Sequence, residues 1–192
     1  MPVPNPDALD FLLTRRSRLA RTLSGPGPDR TEIARLLTAA ARTPDHGKLE
    51  PWRFIVLEEA ACRRLGALTR SLGAEQGRDP DKLVKNAMGF DTGPLCIAVV
   101  AAPKPSEKIP EVEQTLSTGA VCLALLNAAL AAGWGANWLS GWMALDREFL
   151  TQGLGLEPTE WVAGYIHIGA ETQPVQERAR PDLAALTAWV EA

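Results

Sequence analysis

The sequence lacks a basic excess, a paired-cysteine motif, an apolar run long enough for a bilayer and either common nucleotide loop. Each absence removes a class of function. Lys and Arg total 20 against 23 Asp and Glu in 192 residues, a formal net charge of −3 with both histidines neutral. Nucleic-acid binders usually carry a basic surplus, so no nucleic-acid partner is expected. Three cysteines occur, Cys62, Cys96 and Cys122, with no CxxC pair. Buried reduced thiols follow from that pattern rather than a disulfide framework. The longest apolar run, Ala120 to Ala132, is broken by Asn127 and falls short of the ~18 residues that span a bilayer, so no membrane partner is expected either. The opening segment MPVPNPDALDFLLTRR places its charges after a short apolar stretch, the reverse of a secretory signal, and a cytoplasmic protein is expected. His46 has no company but His167, which falls in a predicted strand, so no metal centre is expected. GxGxxG and GxxxxGK(S/T) are both missing, which argues against a doubly wound dinucleotide fold and against nucleotide hydrolysis. No spacing singles out a hydrolase triad, and no repeat or low-complexity tract occurs.

What remains is an ordinary globular composition, 46% apolar and 22% charged, sized for one domain over residues 1–192. Asn5 as N-cap with Pro6 behind it starts a helix over Pro6–Thr14. A Gly/Pro cluster at 24–28 precedes Asp29, which stands in capping-box spacing with Glu32. The helix that follows carries the stripe Ile33, Leu36, Leu37, Ala40 and stops near Thr43 because Pro44 disfavours helical geometry before it. A strand is predicted over Phe54–Leu57, helices over Glu58–Leu72 and Asp81–Met88, and a strand buried on both faces over Pro94–Ala102. Glu111 to Ala132 reads as the longest helix, apolar on every side from Ala120 and therefore interior. Asp146 caps a short helix to Leu150, Trp161–Ile168 reads as a strand, and the tail ends in a short helix near Trp189. Strands separated by long helices at unequal spacing predict an α+β or mixed α/β sandwich.

Three stretches carry chemistry. Arg15, Arg16 and Ser17 follow the first helix, where two guanidinium forks and a hydroxyl can grip a phosphate, or can simply be basic residues at a helix C-terminus. Arg42 to Trp52 packs Arg42, His46, Gly47, Lys48 and two prolines into a helix-to-strand connection, the kind of loop that often binds ligands. Trp134 to Trp142 mixes three tryptophans with glycine and serine, suited to walling a planar ligand and equally to core or dimer packing.

Taken in order, Arg15-Arg16-Ser17, the run RTPDHGKLEPWRF from Arg42 and GWGANWLSG from Gly133 resemble the nitroreductase family of flavin enzymes over almost the whole chain. The resemblance implies an α+β sandwich with a mostly antiparallel central sheet flanked by helices, forming a homodimer with FMN at the subunit interface. It implies NADH or NADPH as electron donor and a nitroaromatic, quinone or related acceptor reduced by ping-pong turnover. By the same likeness Arg15 and Ser17 contact the FMN phosphate and ribityl chain, with Arg16 beside them. Arg42 and His46 match flavin-site positions, with His46 reaching across the dimer. Trp138, Leu139 and Ser140 line the flavin, Ala128–Gly133 meets the nicotinamide, and Arg178 and Arg180 form a basic pair on the phosphate. The cofactor carries the chemistry, so no catalytic side chain is implied; Arg16 or Lys48 would tune the flavin from its pyrimidine side. Two positions depart from the pattern. Leu139 stands where close relatives often have Arg, and Glu50 where Gln is frequent ahead of Pro-Trp, with Lys48 nearby, so that the two either pair or tune the substrate pocket. The competing readings are a flavin-binding relative with another role, flavin destruction or reductive dehalogenation, and a non-enzymatic domain holding another phosphate ligand.

Overall fold

A computed structural model describes residues 3–191. The first elements form where their caps dictate. The Asn5 side chain accepts the Ala8 N–H and starts α1 (Pro6–Thr14). Asp29 and Glu32 exchange both capping-box bonds at the head of α2 (Arg30–Ala40). Between them lies a two-residue strand, β1 (Leu23–Ser24), too short for any periodicity to announce. The chain continues through β2 (Trp52–Glu58), α3 (Glu59–Glu75), α4 (Pro80–Thr92) and β3 (Leu95–Ala101). Then come α5 (Glu111–Ala131), β4 (Gly135–Leu139), α6 (Arg147–Leu154), β5 (Trp161–Glu171) and α7 (Leu183–Leu186).

All strand pairings are antiparallel. The order β1-β5-β3-β2, with β4 also on β5, makes β5 the strand to which three others attach. Every residue of β3 is buried, and alternation distributes them. Cys96, Ala98 and Val100 join Leu57, Phe90, Phe149 and Tyr165 on one face. Leu95, Ile97 and Val99 join Ile33, Leu125 and Ile166 on the other. Both faces being covered is why this strand reads as an unbroken apolar run. The mostly antiparallel sheet between two helical layers is the α+β sandwich expected.

Several expectations are corrected. Trp134–Trp142, to which the sequence assigns no element, contains strand β4; its glycines and tryptophans masked the alternation. α4 extends to Thr92 instead of ending at Met88, and α6 runs to Leu154, where Gly155 takes the left-handed conformation that terminates it. The tail helix has only four residues, and Trp189 lies beyond it, exposed. α5 is not interior on every side. Val121, Cys122, Leu125 and Leu126 pack on the sheet, while Val112, Leu116 and Leu123 face outward, Leu116 with 68% of its surface exposed. At 21 residues α5 is also long and apolar enough by those measures to cross a bilayer, but one side packs on the sheet and its first turn carries Glu111 and Glu113. Cys62, Cys96 and Cys122 are all buried and unpaired, as their sequence context predicts.

Candidate functional site

Residues 15–19 leave α1 extended and are sewn onto β4. The Arg18 N–H donates to the Ala136 carbonyl at 2.8 Å, and the Asn137 side-chain amide donates to the Arg18 carbonyl. This stitching presents Arg16 and Ser17 beside Asn137 and Leu139, which alternate onto one face of β4. The tail from Gln173 to Arg178 forms the opposite wall, and together they enclose a cleft of about 710 Å³.

Arg16 and Arg178 line the cleft itself, with Ser17, Asn137, Gln176 and Glu177 among its other polar groups, and Arg15, Arg18 and Arg180 stand just behind this lining. Arg15 Nη2 donates to Ser17 Oγ at 3.0 Å, Arg18 Nη1 to the Arg16 carbonyl at 2.6 Å, and Arg16 Nη2 to the Gln176 carbonyl at 3.1 Å. Glu171 takes Arg18 at 2.7 Å, and Glu177 lies 2.8 Å from Arg180 and 3.8 Å from Arg16. Arg178 also lines the cleft. Five guanidiniums therefore gather around two carboxylates. Burial, then the neighbouring charges of Arg16, Arg180 and Arg18, press the Arg15 pKa below its ordinary value, the mark of cations crowded without enough anions. Arg15 Nε and Arg16 Nε are both buried with no hydrogen-bond partner. A buried donor without an acceptor is costly, and here two point to a missing anion. A phosphate dianion fits this donor set, because guanidinium forks bind its oxygens bidentately.

The second group stands elsewhere. Arg42, His46 and Lys48 are exposed and do not line the cleft. The loop that carries them is tied down by side-chain hydrogen bonds. Ser117 Oγ donates to the Pro44 carbonyl at 2.9 Å, Asp45 accepts the Glu50 N–H at 2.7 Å, and His46 Nδ1 lies 2.7 Å from Glu113 Oε2. Lys48 and Glu50, at φ of 54° and 49°, are the only non-glycine residues with positive φ among those described. Of the two roles expected of them, an ion pair with each other is not among the salt bridges of the described residues, which leaves a part in tuning the substrate pocket.

Trp138 is placed by a β-bulge. The register between β3 and β5 slips between Val99 and Val100, leaving Ala163 outside the pairing, and its carbonyl accepts the Trp138 indole N–H at 3.1 Å. Gly164 makes room, since a Cβ there would drive into that indole and approach Cys122 Sγ to 3.1 Å. Leu139 lines the cleft, Ser140 is exposed just beyond it, and Ala128–Gly133 closes α5 away from it. Asn137, Gln176 and Glu177 are cleft residues that sequence reasoning missed. Asn137 becomes legible once 135–139 is read as a strand, because it sits two residues from Leu139; nothing in the tail marks the other two. Among the described residues no cluster of His, Cys, Asp and Glu has a metal-binding arrangement.

An antiparallel sheet between two helical layers, with a basic cleft where the chain leaving α1 meets β4 and the tail, defines a nitroreductase-type α+β protein. The model of the Nitroreductase family matches residues 12–170, and the chain belongs to that family. Arg178 and Arg180 lie outside the matched range. YdjA of Escherichia coli (strain K12), provisionally named an NAD(P)H nitroreductase, is 31% identical over 163 residues, 85% of this chain and 87% of its own. A Haemophilus influenzae protein provisionally given the same activity is 34% identical over 176 residues, 91% of this chain and 94% of its own. A provisionally named nitroreductase of Desulfovibrio desulfuricans, solved in complex with FMN, shares the fold with a TM-score of 0.74 at 23% identity, covering 98% of this chain and 99% of that one.

Proposed function

We propose that the chain is an FMN-dependent NAD(P)H oxidoreductase of the nitroreductase type, with NADH or NADPH as donor and a nitroaromatic, quinone or related acceptor. The observation that carries this reading is the pair of buried, unpartnered donors Arg15 Nε and Arg16 Nε beside a cleft whose guanidiniums outnumber its carboxylates. Bound FMN supplies the hydride chemistry. Arg15, Arg16 and Ser17 hold the phosphate end, with Arg178 and Arg180 closing on it from the tail. That tail charge replaces the one Leu139 does not provide. Leu139, with Ser140 beyond it, offers the flank along which the flavin lies, and Trp138 serves it from the other face of β4 through its backbone. Lys48 donates toward the pyrimidine side, where reduction places negative charge, and Arg42 and His46 complete the site.

Arg42, His46 and Lys48 stand apart from the cleft within one chain, and a homodimer that shares its flavin sites brings them into use. The whole chain, residues 1–192, acts as one domain, and three buried free thiols suit a cytoplasmic setting.

The test is the visible spectrum of the purified protein, with FMN added if it is colourless, followed by anaerobic titration with NADH and NADPH. Flavin bands bleached by either donor are the expected result. Yellow protein that neither donor bleaches would turn the reading to a flavin-binding relative with another role. Protein that refuses FMN would leave the cleft to a different phosphate ligand.

A further inference from the structure

Glu177 occupies an odd place. It is the carboxylate that stands between Arg16 and Arg180 in a cleft whose donors call for an anion. Its segment is lightly tied. Among the described residues, no backbone hydrogen bond joins anything after β5 to the body of the fold. The tail is held by the Thr172 hydroxyl on the Thr22 carbonyl at 2.6 Å, and by Arg16, which gives Nη2 to the Gln176 carbonyl and lies near the Glu177 carboxylate. The group that docks the tail is thus the group with an unsatisfied Nε. A ligand phosphate reaching Arg16 meets Glu177 already beside it. Two anions cannot share that guanidinium without repulsion at short range.

From this juxtaposition we propose that Glu177 is a built-in anion that competes with the flavin phosphate for Arg16 and Arg180, so that loading of phosphorylated cofactor displaces the Glu177 carboxylate and re-docks the tail. The inference rests on the FMN reading above and adds a specificity-determining residue to it. Coupling of this kind is reciprocal: whatever holds the tail on Arg16 weakens phosphate binding, and phosphate binding loosens that contact by the same factor. The competition acts only on ligands carrying the phosphate. Riboflavin, which presents the same ring and ribityl chain without it, does not contest Arg16 with Glu177.

The experiment is a fluorescence-quenching titration of wild-type protein and Glu177→Gln with FMN and, separately, with riboflavin. Glu177→Gln keeps the size of the side chain and one acceptor oxygen, and removes the charge. Expected is a gain in FMN affinity of about two- to fivefold, the range of a partly exposed charge interaction, with riboflavin affinity unchanged. Raising the salt concentration should narrow the gain, because these charges are screened. Equal effects on both ligands, or none on either, would overturn the competition while leaving FMN binding intact. If the wild-type protein binds neither flavin, it is the cofactor reading that fails, and the two failures are told apart by the wild-type titration alone.

Discussion

His167 shows how one side chain can set the acid limit of the fold. It sits on β5 opposite Cys96 of β3 and Asn137 of β4, with 2% of its surface exposed, and its Nδ1 has no partner. The ring lies against Gly89 of α4, where a Cβ would come within 3.1 Å of it, and 5.2 Å from the Phe90 ring centre. Burial pushes its pKa down to about 4, with only the Gly89 backbone pulling the other way. An unfolded histidine titrates near ~6.5. Between those values the unfolded chain takes up a proton that the folded chain refuses, so stability is complete above the upper value and falls as pH drops toward the lower. At pH 4.5 the loss is about 2.5 kcal/mol relative to neutral pH. Glu160 also weakens the fold in acid, since its hydrogen bonds to Arg53 hold its carboxyl below the usual range, but that loss begins only below the ordinary carboxylate pKa. Urea unfolding at pH 7 and pH 4.5 should therefore show a smaller difference for His167→Gln than for wild type. An unchanged difference would mean that the histidine is charged when folded.

At the scale of elements, the loop from Asp45 to Pro51 holds left-handed backbone at Gly47, Lys48 and Glu50, at φ of 70°, 54° and 49°. A non-glycine residue held there costs about 1–2 kcal/mol, and such strain tends to collect at functional positions. Two substitutions should move stability in opposite directions. Gly47→Ala adds a Cβ at positive φ that collides with the Ile109 side chain, and should destabilise by about 2 kcal/mol or more. Glu50→Gly relieves the strain but adds unfolded-chain freedom worth about 0.5–1 kcal/mol, so it should be neutral or stabilising by up to about 1 kcal/mol. Thermal melts of both decide it; a destabilised Glu50→Gly would show that the conformation carries no strain. This loop also marks the boundary of what the sequence makes legible. Caps are local, so Asn5, Asp29 and Asp146 announced their helices. β3 was legible because both its faces are buried. β4 was hidden because Gly135 and Trp138 interrupt its alternation, and the tail wall of the cleft by having no periodicity at all. Arg15, Arg16 and Ser17 stood out by residue type, while Glu177 acquires meaning only from where the tail lies.

At the scale of the molecule, one chain leaves too much apolar surface in water. α1 buries none of its nine residues, and Leu9, Leu12 and Leu13 are each more than half exposed. A nine-residue helix is not stable by itself and persists because something packs on it. Along α5, Val112, Leu116 and Leu123 recur at helical spacing on the outward side, and the tail exposes Leu183, Leu186 and Trp189. Exposed apolar residues gathered on one helix side suit an interface, and an isologous dimer would cover the same surfaces on both copies. The double substitution Leu116→Glu and Leu123→Glu places four carboxylates in such a contact without touching the buried side of α5, which stays packed on the sheet through Val121, Cys122 and Leu125. The expected outcome is a wild type that sediments as a dimer and a variant that sediments as a monomer, with the wild-type melting temperature rising with protein concentration. Loss of flavin from the monomer follows if Arg42, His46 and Lys48 serve the neighbouring copy's cleft. A monomer that keeps its flavin at wild-type affinity would confine the binding site to Arg15–Ser17, β4 and the tail of a single chain. A variant that remains dimeric would move the interface off α5 altogether, and the outward leucines would need another partner.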